Sequence, residues 1–321
     1  MSAVSALPTQ ARLPASSPDR RPRRPPRLVR EFLTALVASP ASVIAAVFLF
    51  LLVVSAILAP LITGWIGVNP YSFDESAIDP AVGGLPRGRL GGVSAQHPFG
   101  VEPLNGRDLL ARVLYGARLS LSIAGIATVL TATIGVVMGV LAGYAGGLVD
   151  QLISRVMDFV MAFPALIFMI AILSALPQAN RMLMLVAVLS FFGWPQIARV
   201  VRGQVLSVKN REYVEAARAS GAGTGHIVFQ EVLPNVSGSI IVMVTLMVPT
   251  FIATEAGLSF LGVGVRPPEP SWGQMIFSAV PWFSTAPHFF IIPGVFLSLT
   301  ILACMVIGDA YERRLGRVIE R

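Results

Sequence analysis

The chain has 321 residues, of which 55% are hydrophobic and only 13% charged, with a mean hydropathy of +0.74. Soluble domains carry about a quarter charged residues, so an ordinary water-soluble globule is excluded and a lipid environment is implied. The net charge of +7 is almost wholly arginine, Lys209 being the only lysine, and the arginines sit at the ends of apolar runs, which marks membrane orientation and argues against nucleic acid as a partner.

Residues 1–40 carry seven arginines among many prolines (DRRPRRPPRLVR) and no hydrophobic block. They are expected to form a disordered basic cytoplasmic tail. The prolines and the long gap before the first apolar run disfavour a twin-arginine export signal at Arg20 and Arg21. A membrane span needs about 20 apolar residues, and six stretches qualify: 41–62, 119–143, 152–176, 182–200, 236–258 and 289–307. The first is too long for a signal-peptide core and reads as an uncleaved span. Residues 63–118 then form an extracytoplasmic segment, 119–310 a transmembrane core, and 311–321 a cytoplasmic tail. The fold expected is an all-α membrane protein with six transmembrane helices; continuous apolar runs exclude a barrel of alternating strands.

With the N-terminus inside, 17 of the 24 basic residues fall on the inner side, which places both termini in the cytoplasm. Gly135, Gly139 and Gly143 recur every fourth residue and open one helix face to a close neighbour, either within this chain or on a partner. Pro164, Pro195, Pro249 and Pro293 each remove a helical donor and serve as kinks or hinges. Cys304 lies in an apolar run and, as the only cysteine, allows no intrachain disulfide. Trp65, Tyr71, Trp272 and Trp282 suit interfacial positions.

Four acidic residues near or within the spans need accounting. Asp158 follows Arg155 by three residues, so the two can pair on one helix face; a transport-pathway role is the other reading. Glu255 either satisfies donors at the turn after the fifth span or lines the substrate path. Asp309 and Glu312, beside Arg313 and Arg314, read as a solvated helix end.

The loop 212–235, EYVEAARASGAGTGHIVFQEVLPN, is the most informative stretch. Residues 212–220 favour a helix, Gly221 and Gly223 break it, and a second short helix with Ile227, Val228 and Val232 on one apolar face is expected before Pro234. Two short helices with exposed apolar residues suit docking into a partner's groove. A solvated loop is the alternative.

This loop resembles the EAA motif of ABC-importer permeases, carried by Glu215, Ala216, Ala217, Gly221, Leu233 and Pro234. Further blocks resemble the dipeptide/oligopeptide/nickel branch of that family in the same order: HPFGVEPLNGRDLLARVLYGARLSLSIA (97–124), MDFVMAFP (157–164), GWPQIARVVRGQVL (193–206) and EAGLSFLGVGVRPPEPSWGQMI (255–276). One extra residue in GVEPLNGRD departs from the family pattern around Glu102–Asn105. The resemblance implies a coupling helix in which Glu215 makes a polar contact, Ala216 and Ala217 allow close approach and Gly221 turns the chain. It also implies a second homologous permease, two ATPase subunits and an extracytoplasmic substrate-binding protein. Peptides are the expected cargo, with nickel chelates or other small solutes as the alternative.

The chain itself has no G-x-x-x-x-G-K-[ST] loop, so no cofactor is expected on it, and ATP and Mg would belong to the ATPase subunits. His97, His226 and His288 are scattered without H-E-x-x-H spacing, so neither a metal site nor an intramembrane metalloprotease is expected. No nucleophile sits in a hydrolase context, and a secondary transporter would need mid-membrane coupling carboxylates that these spans lack.

Overall fold

Among the described residues, four α-helices start at a capping side chain: Ser39, Asp108, Asn180 and Ser271. The computed structural model describes residues 33–319, with side chains to Arg314; the N-terminal tail lies largely outside the described residues. The first helix, α1 (Pro40–Ile57), has proline at its start and Ser39 accepting from the Ser42 amide at 3.1 Å; this satisfies a first-turn donor. The chain breaks at Leu58 and continues as α2 (Ala59–Ile66). A loop segment follows with one small antiparallel hairpin, β1 (Ile78–Asp79) against β2 (Leu85–Pro86). This end of the molecule is the hairpin side.

Asp108 then caps α3 (Leu109–Ala145), its carboxylate accepting from the Ala111 amide at 2.6 Å. This helix starts ten residues before the apolar run, so Arg112 and Arg118 belong to it rather than to an external loop. Two glycines lead into α4 (Gly147–Ala162), and Phe163 and Pro164 separate it from α5 (Ala165–Ala175), with a bend of 80°. The expected third span is therefore two helices joined at a sharp break rather than one straight helix. Asn180 caps α6 (Arg181–Val208), which runs through Pro195 without interruption.

At the opposite end, the loop side, lies α7 (Glu212–Ala219). It is followed by α8 (Thr224–Phe260), which holds a π-turn at Ile227–Val232 and includes Pro249. The expected separate second short helix is thus the first turns of the fifth span. Back on the hairpin side, α9 (Trp272–Ala279) precedes α10 (Pro287–Ile319), which carries the expected C-terminal tail as helix. Among the described residues five helices are long and apolar enough to cross a membrane, and there are six spans if the bent pair α4–α5 is one. The protein is an all-α membrane protein.

The tightest pairing is α3 with α6. A Cβ on Gly135, Gly139 or Gly143 would stand 2.7–2.8 Å from Ile197, Val201 or Val205 of α6. The glycine stripe therefore serves packing within this chain. Ile123, Leu185, Leu189, Ile252 and Leu258 fill the core these helices share with α8. A smaller cluster on the hairpin side joins Leu52, Leu109, Val113, Trp272 and Phe289. Trp272 is fully buried there and donates from Nε1 to the Val113 carbonyl at 3.2 Å, so it is a core residue and not an interfacial one. Trp65, by contrast, is 95% exposed.

Candidate functional site

The loop-side elbow is built by α7, the turn at Gly221 and the first turns of α8. On α7 the acidic Glu212 and Glu215 stand in the first turn and Arg218 in the last, which complements the helix dipole at both ends. Val214 is fully buried and joins Val205, Ile227, Val232 and Val236 in the core. That apolar anchor leaves Glu215 and Ala216 exposed and Ala217 half-buried. Gly221 turns the chain with φ +84°, a conformation open to glycine at little cost. The amides of Gly221 and Ala222 donate to the Arg218 and Ala217 carbonyls, closing the end of α7. Pro234 sits within the first turns of α8, just past the π-turn.

The structure corrects the expected docking face. Ile227 and Val232 point into the protein's own core, whereas Phe229 is 68% exposed and Tyr213 41%. The outward surface of the elbow is therefore Glu215, Ala216, Tyr213 and Phe229. Burial raises the Tyr213 phenol above its ordinary pKa, against the opposing pull of Arg211.

On the hairpin side the structure shows a charged lock that sequence reasoning missed. Glu102 is buried and accepts from Arg107 at 2.7 Å, with Arg112 pressed against its other oxygen. Arg112, fully buried, also donates to the Pro70 carbonyl (3.2 Å), the Pro268 carbonyl (3.3 Å) and Gln274 Oε1 (3.1 Å). One guanidinium thus fastens three separate segments to the start of α3. Beside it, His97 stands between Asp108 (2.9 Å) and Asp74 (3.3 Å). Ser76, through both hydroxyl and amide, holds the Asp74 carboxyl below the usual range, and His97 assists. Tyr71 donates to Glu269 at 2.9 Å; burial first and this bond second push its phenol up to about 12.

The extra residue in GVEPLNGRD is absorbed by this lock. Val101 bridges Asp108, the Gly106 amide donates to the Glu102 carbonyl at 3.0 Å, and Leu104 takes φ +65°. Gly106 is obligatory in that turn: its φ is +63°, and a Cβ would lie 1.9 Å from the Asp74 carbonyl. The one sequence signal for the lock was Asp108 ahead of a periodic run, a helix-cap signature.

The two acidic candidates in the spans have different partners from those expected. Asp158 pairs with Arg199 of α6 at 2.7 Å rather than with Arg155. Three residues further along α6, Arg202 clasps Asp150 with a 2.8 Å bond from Nη2 and a closer one from Nε. Glu255 is fully buried and accepts from Ser120 and Ser259, each at 2.8 Å. Ser259 in turn accepts from the Val265 amide at 3.0 Å, so Glu255 ties α8 to α3 and, through a serine, to the following turn.

With the elbow and the lock placed, comparison with known proteins decides the family. Residues 135–318 match the family described as binding-protein-dependent transport system inner membrane component. The chain belongs to this family of permease subunits. It is similar to the oligopeptide transport system permease protein OppC of Bacillus subtilis (strain 168), 37% identical over 67% of this chain and 70% of that one. It is also similar to the glutathione transport system permease protein GsiD of Escherichia coli O1:K1 / APEC, 36% identical over 86% of each. Among solved structures, a chain of the MetNI methionine ABC transporter in an inward-facing form superposes with a TM-score of 0.50 at 18% identity. That match covers 63% of this chain and 97% of the other and speaks for the fold alone.

Proposed function

We propose that this permease moves di- or oligopeptides across the cytoplasmic membrane, with both termini and the elbow in the cytoplasm. The observation that carries the coupling role is the elbow itself. A short helix is pinned by Val214, turned by a left-handed Gly221 and continuous with a full spanning helix, while Glu215 and Ala216 remain open. A rigid lever with an uncovered polar end suits a socket on a partner. Movement of α7 and α8 together would reach the hairpin side along one helix.

In this reading an ATPase pair seats the elbow, a second permease completes the pathway, and a substrate-binding protein meets the hairpin side. ATP shifts the equilibrium between inward and outward states only by favouring one of them. Peptide cargo is supported by the names of the relatives, one an oligopeptide and one a glutathione permease.

The test is purification of the chain with its ATPase, reconstitution with the binding protein, and uptake of a labelled dipeptide and of labelled glutathione. ATP-dependent uptake of either is expected; uptake of a nickel chelate alone would replace the peptide assignment. Orientation is checked in the Cys304→Ser background. Pro80→Cys should be labelled from outside and Gly225→Cys only from inside, and the reverse pattern overturns the topology.

A further inference from the structure

The Asp158–Arg199 pair lies where an open ion pair has no business facing lipid. Both side chains are uncovered, Arg199 to 50% and Asp158 to 59%. With Asp150, Arg155 and Arg202 nearby, Asp158 lines an open cleft of about 600 Å³ that is walled by α4, with Arg202 contributed by α6. The depth follows from helix geometry. The 28 residues of α6 span roughly 42 Å at 1.5 Å each, against a hydrocarbon core of about 30 Å. Arg199 stands nine residues before the helix end at Val208, roughly 14 Å along the axis, and inside the loop-side end of the apolar run 182–200.

Charged groups at such depth turn toward water or toward protein. Elsewhere the outward surface is what acyl chains require: Ile44 is 70% exposed and Val129 65%. On the hairpin side of the ion pair the same face changes character. Phe159, Phe163, Phe168 and Phe192 form a continuous chain of rings with centroids 4.9, 4.5 and 6.5 Å apart. It spans the 80° break between α4 and α5. The ring chain thus begins one residue beyond Asp158, which lines the polar cleft.

We propose that this α4–α6 stripe lines the aqueous translocation pathway, with Asp158 and Arg199 as charged wall residues and the phenylalanine chain as its closure toward the hairpin side. The inference rests on the permease reading above and adds the residues of the path. A wall offering one anion and one cation fits zwitterionic solutes, which carry both charges.

The test uses the full complex in proteoliposomes with Cys304→Ser as background. Single variants Arg155→Cys and Asp158→Cys are compared with Ile44→Cys and Val129→Cys, using a membrane-impermeant charged methanethiosulfonate reagent on the loop side. In the nucleotide-free complex the first two should react at least tenfold faster than the controls, and should slow several-fold when the ATPases are trapped with ATP and vanadate. Rates equal to the controls would place the stripe against lipid and overturn the proposal. Protection in both states would make it a sealed subunit interface, and fast labelling unchanged by trapping a plain solvated surface; either also overturns it. Arg155→Cys removes neither ion pair, so it stays informative if Asp158→Cys fails to assemble. Labelling needs no knowledge of the cargo. If no ATPase assembles with the wild-type chain, the permease reading fails; if ATP hydrolysis is coupled but the cysteines behave like the controls, only the pathway assignment fails.

Discussion

Glu102 holds two arginines on one carboxylate, and its contacts explain why the segment before α3 is ordered at all. Glu102→Gln keeps the size and removes the charge, leaving fully buried Arg112 without its anion. Breaking one partner of a buried pair costs about 3–5 kcal/mol. The purified complex should therefore lose several degrees of thermal stability, whereas Glu269→Gln, at an exposed site, should change it little. Asp74 adds a pH dependence. Its folded carboxyl is held below the ordinary range by Ser76 and His97, so its stabilising contribution is complete above the unfolded carboxylate pKa and is lost as pH falls through the lowered value. An unfolding series from neutral pH downward should show this loss in the wild type, and Asp74→Asn should flatten it. The long-range part of the lock was not legible in the sequence, because Arg112 reaches the Pro70 and Pro268 carbonyls, 42 and 156 positions away. The same blindness mispaired Asp158. Spacing on one helix favours Arg155, but the facing helix supplies Arg199, 41 residues on.

At the scale of elements, the sequence located every span but not its ends. Apolarity set the expected start of the second span at 119, yet α3 begins at Leu109 because the Asp108 cap and the lock pay for its polar first turns. Hydropathy also could not show that Phe163 and Pro164 break the third span by 80°. The glycine stripe was visible; its partner helix was not. Gly139→Val tests the pairing directly. A Cβ there meets the Ala198 carbonyl and Val201, each at 2.7 Å, and backbone cannot retreat as a flexible side chain would. Overpacking of this kind costs about 1–3 kcal/mol. Assembly yield and thermal stability should both fall, while Gly125→Ala, with nothing within 4 Å of its Cβ, should leave both unchanged.

For the whole molecule the question is how an event at the elbow reaches the hairpin side. The path is continuous in the fold: α7 leads through Gly221 into α8, which carries Glu255, bonded to Ser120 of α3, and packs against α10 and α6. If the elbow is the input, disturbing it should uncouple the machine without harming the external surface. Glu215→Ala removes an exposed carboxylate and touches no core residue, so the complex should assemble and still bind its external partner. Gly221 allows a sharper test, since its φ is +84° and a Cβ would meet nothing within 4 Å. The penalty for Gly221→Val is then backbone alone, about 1–2 kcal/mol for a left-handed residue, and the chain relieves it by redirecting α7 relative to α8. Asparagine tolerates this conformation far better, so Gly221→Asn should retain most transport where Gly221→Val loses it. Uptake, binding-protein-stimulated ATP hydrolysis and binding-protein docking are measured in all three variants. Uptake and stimulated hydrolysis should drop together in Glu215→Ala and Gly221→Val while docking persists. Full uptake in both would show that the input enters elsewhere, and equal loss in Gly221→Asn and Gly221→Val would show that the turn's handedness is not what transmits it.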